Sequence, residues 1–140
     1  MSLRIVSSLV LVGVIAFIAL GTLFLTAFAQ TAETKWNAPA SEGAKRNPIA
    51  ANQSSIAAGE KIYTKRCVAC HGTSGNGDGQ NAIDLGIHPA KLSEVTSGEA
   101  DGALFWKITT GKKPMPSYRT RLSDADRWNV INYVRTLEKK

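Results

Sequence analysis

The sequence predicts an all-α domain of three to five helices, preceded by an N-terminal apolar segment. Apolar residues recur at steps of three and four near residue 56 and again near residue 131, which is the period of an amphipathic helix. No stretch has the alternation of apolar and polar residues that is typical of a half-buried strand. Because the chain has only 140 residues, we expect one modest domain with extensions.

The apolar segment, residues 1–29, is predicted to direct the rest of the chain across a membrane. After Arg4, no charged residue occurs until Glu33. Ala27 and Ala29 fit the small-residue rule for signal-peptide cleavage, whereas an apolar run of about 20 residues is also long enough to span a bilayer. The segment is therefore either a cleaved signal peptide or a retained transmembrane anchor. In both cases the remainder is expected outside, because basic flanks stay in the cytoplasm.

Residues 30–53 separate this segment from the domain. They have no apolar period and they contain Pro39 and Pro48, which predicts a flexible linker. The domain itself is predicted to extend over residues 54–140.

Three helices are predicted within the domain. The first covers residues 54–67 and is capped by Ser54 or Ser55. A short helix over residues 101–110 ends at Gly111, and residues 72–100, which are rich in Gly, Asn and Asp, are expected to be mostly loop. The last helix starts at a capping box and carries an apolar stripe: Ser123 and Asp126, then Trp128, Ile131, Val134 and Leu137.

The composition is basic, with 17 Lys and Arg against 11 Asp and Glu and a formal net charge of +6. Basic domains often bind nucleic acid. Here the basic residues are scattered rather than clustered in a stripe, and the chain is predicted to be exported. We therefore expect no nucleic-acid partner, and expect an acidic protein or an anionic membrane surface instead.

The two cysteines lie in the run Cys67-Val68-Ala69-Cys70-His71, which is a C-x-x-C-H pattern. Two thiols at this spacing can form thioether bonds to the vinyl groups of one haem, and the adjacent His71 then supplies an imidazole to the iron. A thioredoxin-like site would need a βαβ context, a zinc site would need two further ligands, and a disulfide would leave His71 unexplained. The pattern predicts one covalent haem c.

The order of these features resembles class I c-type cytochromes, over roughly residues 54–140. The motif ends a helix containing Gly59 and Tyr63, and a Met-Pro pair precedes a last helix containing Trp128 and Tyr133. The run after the motif and the Phe-Trp-Lys-Ile-Thr segment are similar to small monohaem subunits of bacterial respiratory complexes. This resemblance implies the cytochrome c fold around one haem, and a carrier of electrons rather than an enzyme, with no small-molecule substrate.

Met115 is the only methionine outside the apolar segment, and the flanking prolines restrict its loop. In the family a Met-Pro at this place supplies the distal iron ligand, so the resemblance assigns that role to Met115, with His88 as a rival. It also implies that a proline carbonyl accepts the N–H of the ligating His71, for which Pro89 is the candidate. Three more side chains are candidates for haem propionates or for ordinary packing: Trp106, Tyr118 and Arg119.

The predicted function is electron transfer by a His/Met-ligated haem in a respiratory or related redox chain. The chain is expected on the periplasmic side of a bacterial inner membrane, as a carrier or as a subunit of a membrane complex. The alternative is a haem enzyme or gas-binding protein in which Met115 is displaced. Basic residues near the predicted haem segments predict a positive rim that attracts an acidic redox partner: Lys65, Arg66, Lys91, Lys112 and Lys113. The Gly75–Gly79 run predicts a flexible turn over the haem edge.

Overall fold

The computed structural model describes residues 36–137, and this part of the chain is helical. Its α-helices are α1 (Ala40–Gly43), α2 (Gln53–Arg66), α3 (Val68–His71), α4 (Gln80–Leu85), α5 (Leu92–Val95), α6 (Asp101–Thr110) and α7 (Asp124–Leu137), with a 3₁₀ turn at Thr96–Gly98. Within these residues there is no β-strand, and one isolated bridge joins Lys112 and Met115. The all-α prediction is confirmed: α2, α6 and α7 are the three helices predicted, and the short helices are additional.

The apolar segment predicted at residues 1–29 lies outside the described residues. Residues 37–137 belong to one compact unit. Between residues 36 and 137, none of the helices has the length and apolar character needed to cross a membrane. The signal-peptide and anchor interpretations therefore stay predictions.

The first and last long helices, α2 and α7, cross closely at Gly59. A Cβ atom on Gly59 would overlap the carbonyl group of Asn129, at 2.6 Å from its carbon, and would lie 2.9 Å from Cβ of Tyr133. Only a residue without a side chain permits this approach. The crossing buries Tyr63 against Tyr133, with ring centroids 5.2 Å apart. These rings form the main core with three residues of α7: Val130, Val134 and Leu137.

A second core cluster joins α6 to the other side of α7. Phe105 and Trp128 stack with ring centroids 4.0 Å apart, and Leu104 and Ile131 complete the cluster. The guanidinium of Arg127 lies 4.6 Å from the centroid of the Phe105 ring. The apolar stripe predicted for the last helix is thus divided between two cores, which together fix α2 and α6 against α7.

Residues 37–52, which we call the docked segment, pack against this helical unit. Asn47 Nδ2 donates to the carbonyl of Trp128 at 3.2 Å and to Oδ1 of Asn132 at 2.8 Å. Asn132 Nδ2 in turn donates to the carbonyl of Ile49 at 3.1 Å. The prediction of a flexible linker is therefore wrong for this part of residues 30–53. Amide side chains bind it to α7, and such bonds leave no apolar period in the sequence.

The helix ends differ in how well the sequence predicted them. At α2 the cap is Asn52, whose Oδ1 accepts a hydrogen bond from the amide of Ser55 at 2.9 Å, so the predicted serine cap is wrong. At α7 the predicted capping box is confirmed. The amide of Asp126 donates to Ser123 Oγ at 3.1 Å, and the amide of Ser123 donates to Asp126 Oδ2 at 3.2 Å.

Candidate haem site

The C-x-x-C-H run forms a single helical turn at the end of α2. Cys67 lies between α2 and α3, and its carbonyl accepts hydrogen bonds from the amides of Cys70 at 3.1 Å and His71 at 2.9 Å. The two thiols are three positions apart, so they lie on the same side of the turn, and both are free rather than disulfide-bonded. Burial raises the pKa of the Cys67 thiol to about 12, with a smaller contribution from Cys70.

His71, the last residue of this turn, is half-buried. Its Nδ1 atom is buried and makes no hydrogen bond of standard geometry with the described residues. Burial lowers the pKa of His71, and the backbone of Ala90 opposes that shift. The role of the Pro89 carbonyl as acceptor of the His71 N–H stays a prediction, and Ala90 is the next residue of the chain.

A glycine-rich loop, Gly72–Gly79, folds back over this turn. The amide of Gly77 donates to the His71 carbonyl at 2.9 Å, and the amide of Gly79 donates to the Cys70 carbonyl at 3.2 Å. A Cβ atom on Gly77 would lie 2.5 Å from the Pro89 carbonyl oxygen, so the loop also packs closely against the segment that contains Pro89. Gly75 and Gly79 are buried. The loop is packed, which differs from the flexible turn that was predicted.

The Met115 loop, residues 111–118, is fixed to the end of α6. Gly111 ends α6 with a φ of 66°, and the amide of Met115 donates to the carbonyl of Lys112 at 2.9 Å. Ser117 Oγ then donates to the carbonyl of Thr109 at 2.7 Å. The Met115 side chain is half-buried. These bonds give the loop a defined conformation in which Met115 is held between two attachment points.

Tyr118 brings the Met115 loop to the C-x-x-C-H turn. Its hydroxyl donates to the carbonyl of Arg66 at 2.9 Å, one residue before Cys67. Burial raises the pKa of Tyr118, and the nearby thiol of Cys67 adds to this shift. The loop that carries the predicted distal ligand and the turn that carries the predicted thioether sites therefore meet at one place.

Comparison with known proteins supports one family. The family model described as cytochrome c oxidase, cbb3-type, subunit III matches residues 54–134. The chain belongs to this cytochrome c family. It is 38% identical to cytochrome c6 of Bumilleriopsis filiformis, in a match that covers 54% of this chain and 84% of that protein.

Further relatives of this cytochrome extend the comparison. The cbb3-type cytochrome c oxidase subunit CcoP of Azospirillum sp. (strain B510) is 31% identical, over 65% of this chain and 31% of that protein. Among solved structures, a chain of the reducing HAO-like protein complex Kustc0457/Kustc0458 of Kuenenia stuttgartiensis matches with a TM-score of 0.53. It is 34% identical, over 64% of this chain and 46% of that chain. The cytochrome accordingly binds haem c covalently and transfers electrons.

The residues of the cytochrome fit a haem at the Cys67–His71 turn. Two unpaired thiols three positions apart, followed directly by the imidazole of His71, are the groups that covalent attachment and iron ligation require. Two large apolar side chains nearby in sequence, Ile83 and Leu85 of α4, are 64% and 65% exposed. Among residues 36–137, no three His, Cys, Asp or Glu side chains converge as in a multi-ligand metal site.

The structure brings some predicted side chains together and not others. Tyr118 joins the site, and its hydroxyl is bonded to the carbonyl of Arg66, which favours the packing role over the propionate role. His88 and Arg119 are exposed, and Trp106 is half-buried. The bond between Tyr118 and Arg66 was not predicted. It has no local signal in the sequence, because it joins segments 52 positions apart.

Proposed function

We propose that Cys67 and Cys70 form the thioether bonds to one haem and that His71 and Met115 are the two iron ligands. The observation that carries the proposal is the Tyr118 bond to the carbonyl of Arg66, since it joins the Met115 loop to the C-x-x-C-H turn. When bound, the haem supplies a centre that alternates between Fe(III) and Fe(II). The thioether of a methionine opposite a histidine raises the potential of such a centre.

The protein holds both proposed ligands on segments whose conformation is fixed by hydrogen bonds. The amides of Gly77 and Gly79 bind the carbonyls of His71 and Cys70, and the Met115 loop is attached to α6. Because neither segment needs to rearrange, the arrangement suits a carrier rather than an enzyme with an open coordination position.

The substitution Met115→Ala tests the distal ligand. We expect the variant to keep covalent haem, to lose the methionine–iron charge-transfer band of the oxidised protein, and to have a lower redox potential. His88→Ala is the matched control, because His88 is the rival ligand and is exposed; it should change neither property. An unchanged potential in Met115→Ala would remove Met115 from the iron. Rapid carbon monoxide binding by the reduced native protein would instead favour a gas-binding function.

The double substitution Cys67→Ser with Cys70→Ser tests the attachment. Without either thiol no thioether can form, so haem should be extracted completely by acidified acetone. Ser41→Ala, an exposed position in α1, serves as a control that should retain its haem. Haem that resists extraction from the double variant would exclude these cysteines as the attachment sites.

The proposed partner is an acidic redox protein that docks on the side where α2 meets the Met115 loop. Exposed cations lie on both segments and just after the loop: Lys61, Lys65 and Arg66 on α2, Lys112 and Lys113 on the loop, and Arg119 and Arg121 after it. Exposed carboxylates are fewer, and one of them lies on α2: Glu60, Asp78, Asp84, Glu94 and Asp124. The excess of positive charge on the two segments steers an anionic partner and is screened by salt.

Charge reversal at Lys112 and Lys113 tests this surface with small redox reagents as probes. We expect the double Glu variant to reduce the second-order rate with ferricyanide severalfold at low ionic strength and to increase it with hexaammineruthenium. Lys91→Glu is the control, because Lys91 is paired with Glu94 at 3.3 Å and belongs to neither α2 nor the Met115 loop. If the double variant at Lys112 and Lys113 reacted with each reagent at the same rate as Lys91→Glu, the proposed surface would be contradicted.

The proposed location is the periplasmic side of a bacterial inner membrane, with residues 1–29 as a retained anchor or a cleaved signal. The support is the uncharged apolar run after Arg4. Membrane fractionation together with the intact mass of the native protein distinguishes the two forms. Haem-loaded protein in the cytoplasmic fraction would contradict both.

A further inference from the structure

One hydrogen bond connects the Met115 loop to the half of the molecule that carries the cysteines. The hydroxyl of Tyr118 donates to the carbonyl of Arg66 at 2.9 Å, and the side chain is only 7% exposed. Arg66 is the last residue of α2, where carbonyl groups lack partners within the helix. The Tyr118 hydroxyl therefore caps a helix end that leads directly into Cys67.

All the other hydrogen bonds found for this loop within residues 36–137 stay on the α6 side or within the loop and the turn after it. The amide of Tyr118 itself donates to the carbonyl of Ile108 at 3.1 Å, Ser117 Oγ binds the carbonyl of Thr109, and the amide of Met115 binds Lys112. Loss of the hydroxyl would leave the loop attached to α6. It would remove the one described hydrogen bond between the loop and the end of α2.

We propose that the Tyr118 hydroxyl is a positioning group that holds the Met115 loop closed against the end of α2, and so sets how readily Met115 yields to an external ligand. This inference rests on the proposed role of Met115 as an iron ligand. An external base must replace the methionine sulfur, and the loop must open for the sulfur to leave. Opening breaks the Tyr118–Arg66 bond, so the bond opposes replacement.

The substitution Tyr118→Phe keeps the buried ring and removes only the hydroxyl. Losing one neutral hydrogen bond should increase the open population, and with it the affinity of the oxidised protein for imidazole, by about fivefold. Imidazole binding is followed by the disappearance of the methionine–iron charge-transfer band. Amide hydrogen exchange at Met115 and Tyr118 should become faster in parallel.

Two further tyrosines provide matched controls. Tyr63 also donates its hydroxyl to a backbone carbonyl, that of Gly72 at 2.7 Å, but this bond lies next to His71 and does not touch the Met115 loop. Tyr133 is buried, and its hydroxyl has no hydrogen bond among the described residues. Tyr63→Phe should lower thermal stability without changing the imidazole affinity, and Tyr133→Phe should leave that affinity at the native value.

The outcomes separate this inference from the function on which it rests. If the native oxidised protein has no methionine–iron band, Met115 is not on the iron, and both proposals are wrong. If the band is present but Tyr118→Phe and Tyr133→Phe bind imidazole equally well, Met115 remains the ligand and only the role of Tyr118 is overturned. An equal gain of imidazole affinity in Tyr63→Phe would also overturn the role of Tyr118. A general loss of stability would then explain the gain without any specific effect on the Met115 loop.

Discussion

Replacing Gly59 by alanine tests the crossing of α2 and α7, on which the rest of the domain is built. The added Cβ atom would lie 2.6 Å from the carbonyl carbon of Asn129 and 2.9 Å from Cβ of Tyr133. Neither atom can move by rotation of a side chain. Since carbon atoms in contact are about 3.5–4.0 Å apart, the two helices would have to separate by about 1 Å.

Two effects of opposite sign determine the size of the change. Alanine in place of glycine inside a helix is favourable by about 1 kcal/mol. Overpacking costs about 1–3 kcal/mol or more, and opening the crossing also loosens the contact between Tyr63 and Tyr133. We therefore expect Gly59→Ala to reduce the free energy of unfolding by about 2–3 kcal/mol. For a domain of this size the midpoint temperature should fall by about 10–20 °C.

The measurement is urea and thermal unfolding of the haem-loaded protein, followed by far-ultraviolet circular dichroism. Gly43→Ala is the matched control, because no heavy atom lies within 4 Å of the position of its Cβ. It should leave stability unchanged or raise it by a few tenths of a kcal/mol. If Gly59→Ala unfolds at or above the native midpoint, the argument from close approach is refuted.

Three other substitutions test features of the same fold. Asn132→Ala removes four hydrogen bonds around the docked segment, so we expect the free energy of unfolding to fall by about 2–3 kcal/mol. Protease cleavage at residues 47–50 should become faster, and unchanged cleavage would contradict docking of this segment. Ser123→Ala removes both bonds of the serine hydroxyl with Asp126 and should cost about 1 kcal/mol in urea unfolding, where no loss would exclude a capping role. Gly79→Ala places Cβ 2.5 Å from a carbonyl oxygen of α3 and should cost about 2 kcal/mol; full stability would mean that the glycine loop is loosely packed.

The features that the sequence predicted well are those with a local pattern. The boundaries of α6 and the capping box of Ser123 follow from residues a few positions apart, and the structure confirms both. The apolar stripe of α7 is likewise a periodic signal, and its residues form both core clusters. The C-x-x-C-H run predicted the haem from its spacing alone, in agreement with the family match.

The features that the sequence did not predict depend on contacts between distant residues. The docked segment is bound through Asn47 and Asn132, which are polar and 85 positions apart. The Tyr118 hydroxyl reaches Arg66 across 52 positions. The residue type alone does not show whether an amide or hydroxyl side chain is exposed or is buried and bound to a backbone carbonyl. Only the folded structure distinguishes the two cases.

The crossing at Gly59 has a consequence for the order of events when the protein is made. Its two sides, Gly59 and Asn129, are separated by about 70 residues, so the core cannot close until the last helix exists. Cys67 packs partly against that core. While α7 is missing, the turn with the proposed attachment thiols lacks these contacts, whereas in the folded domain both cysteines are half-buried. The late arrival of α7 thus leaves an interval in which haem can be attached before folding is complete.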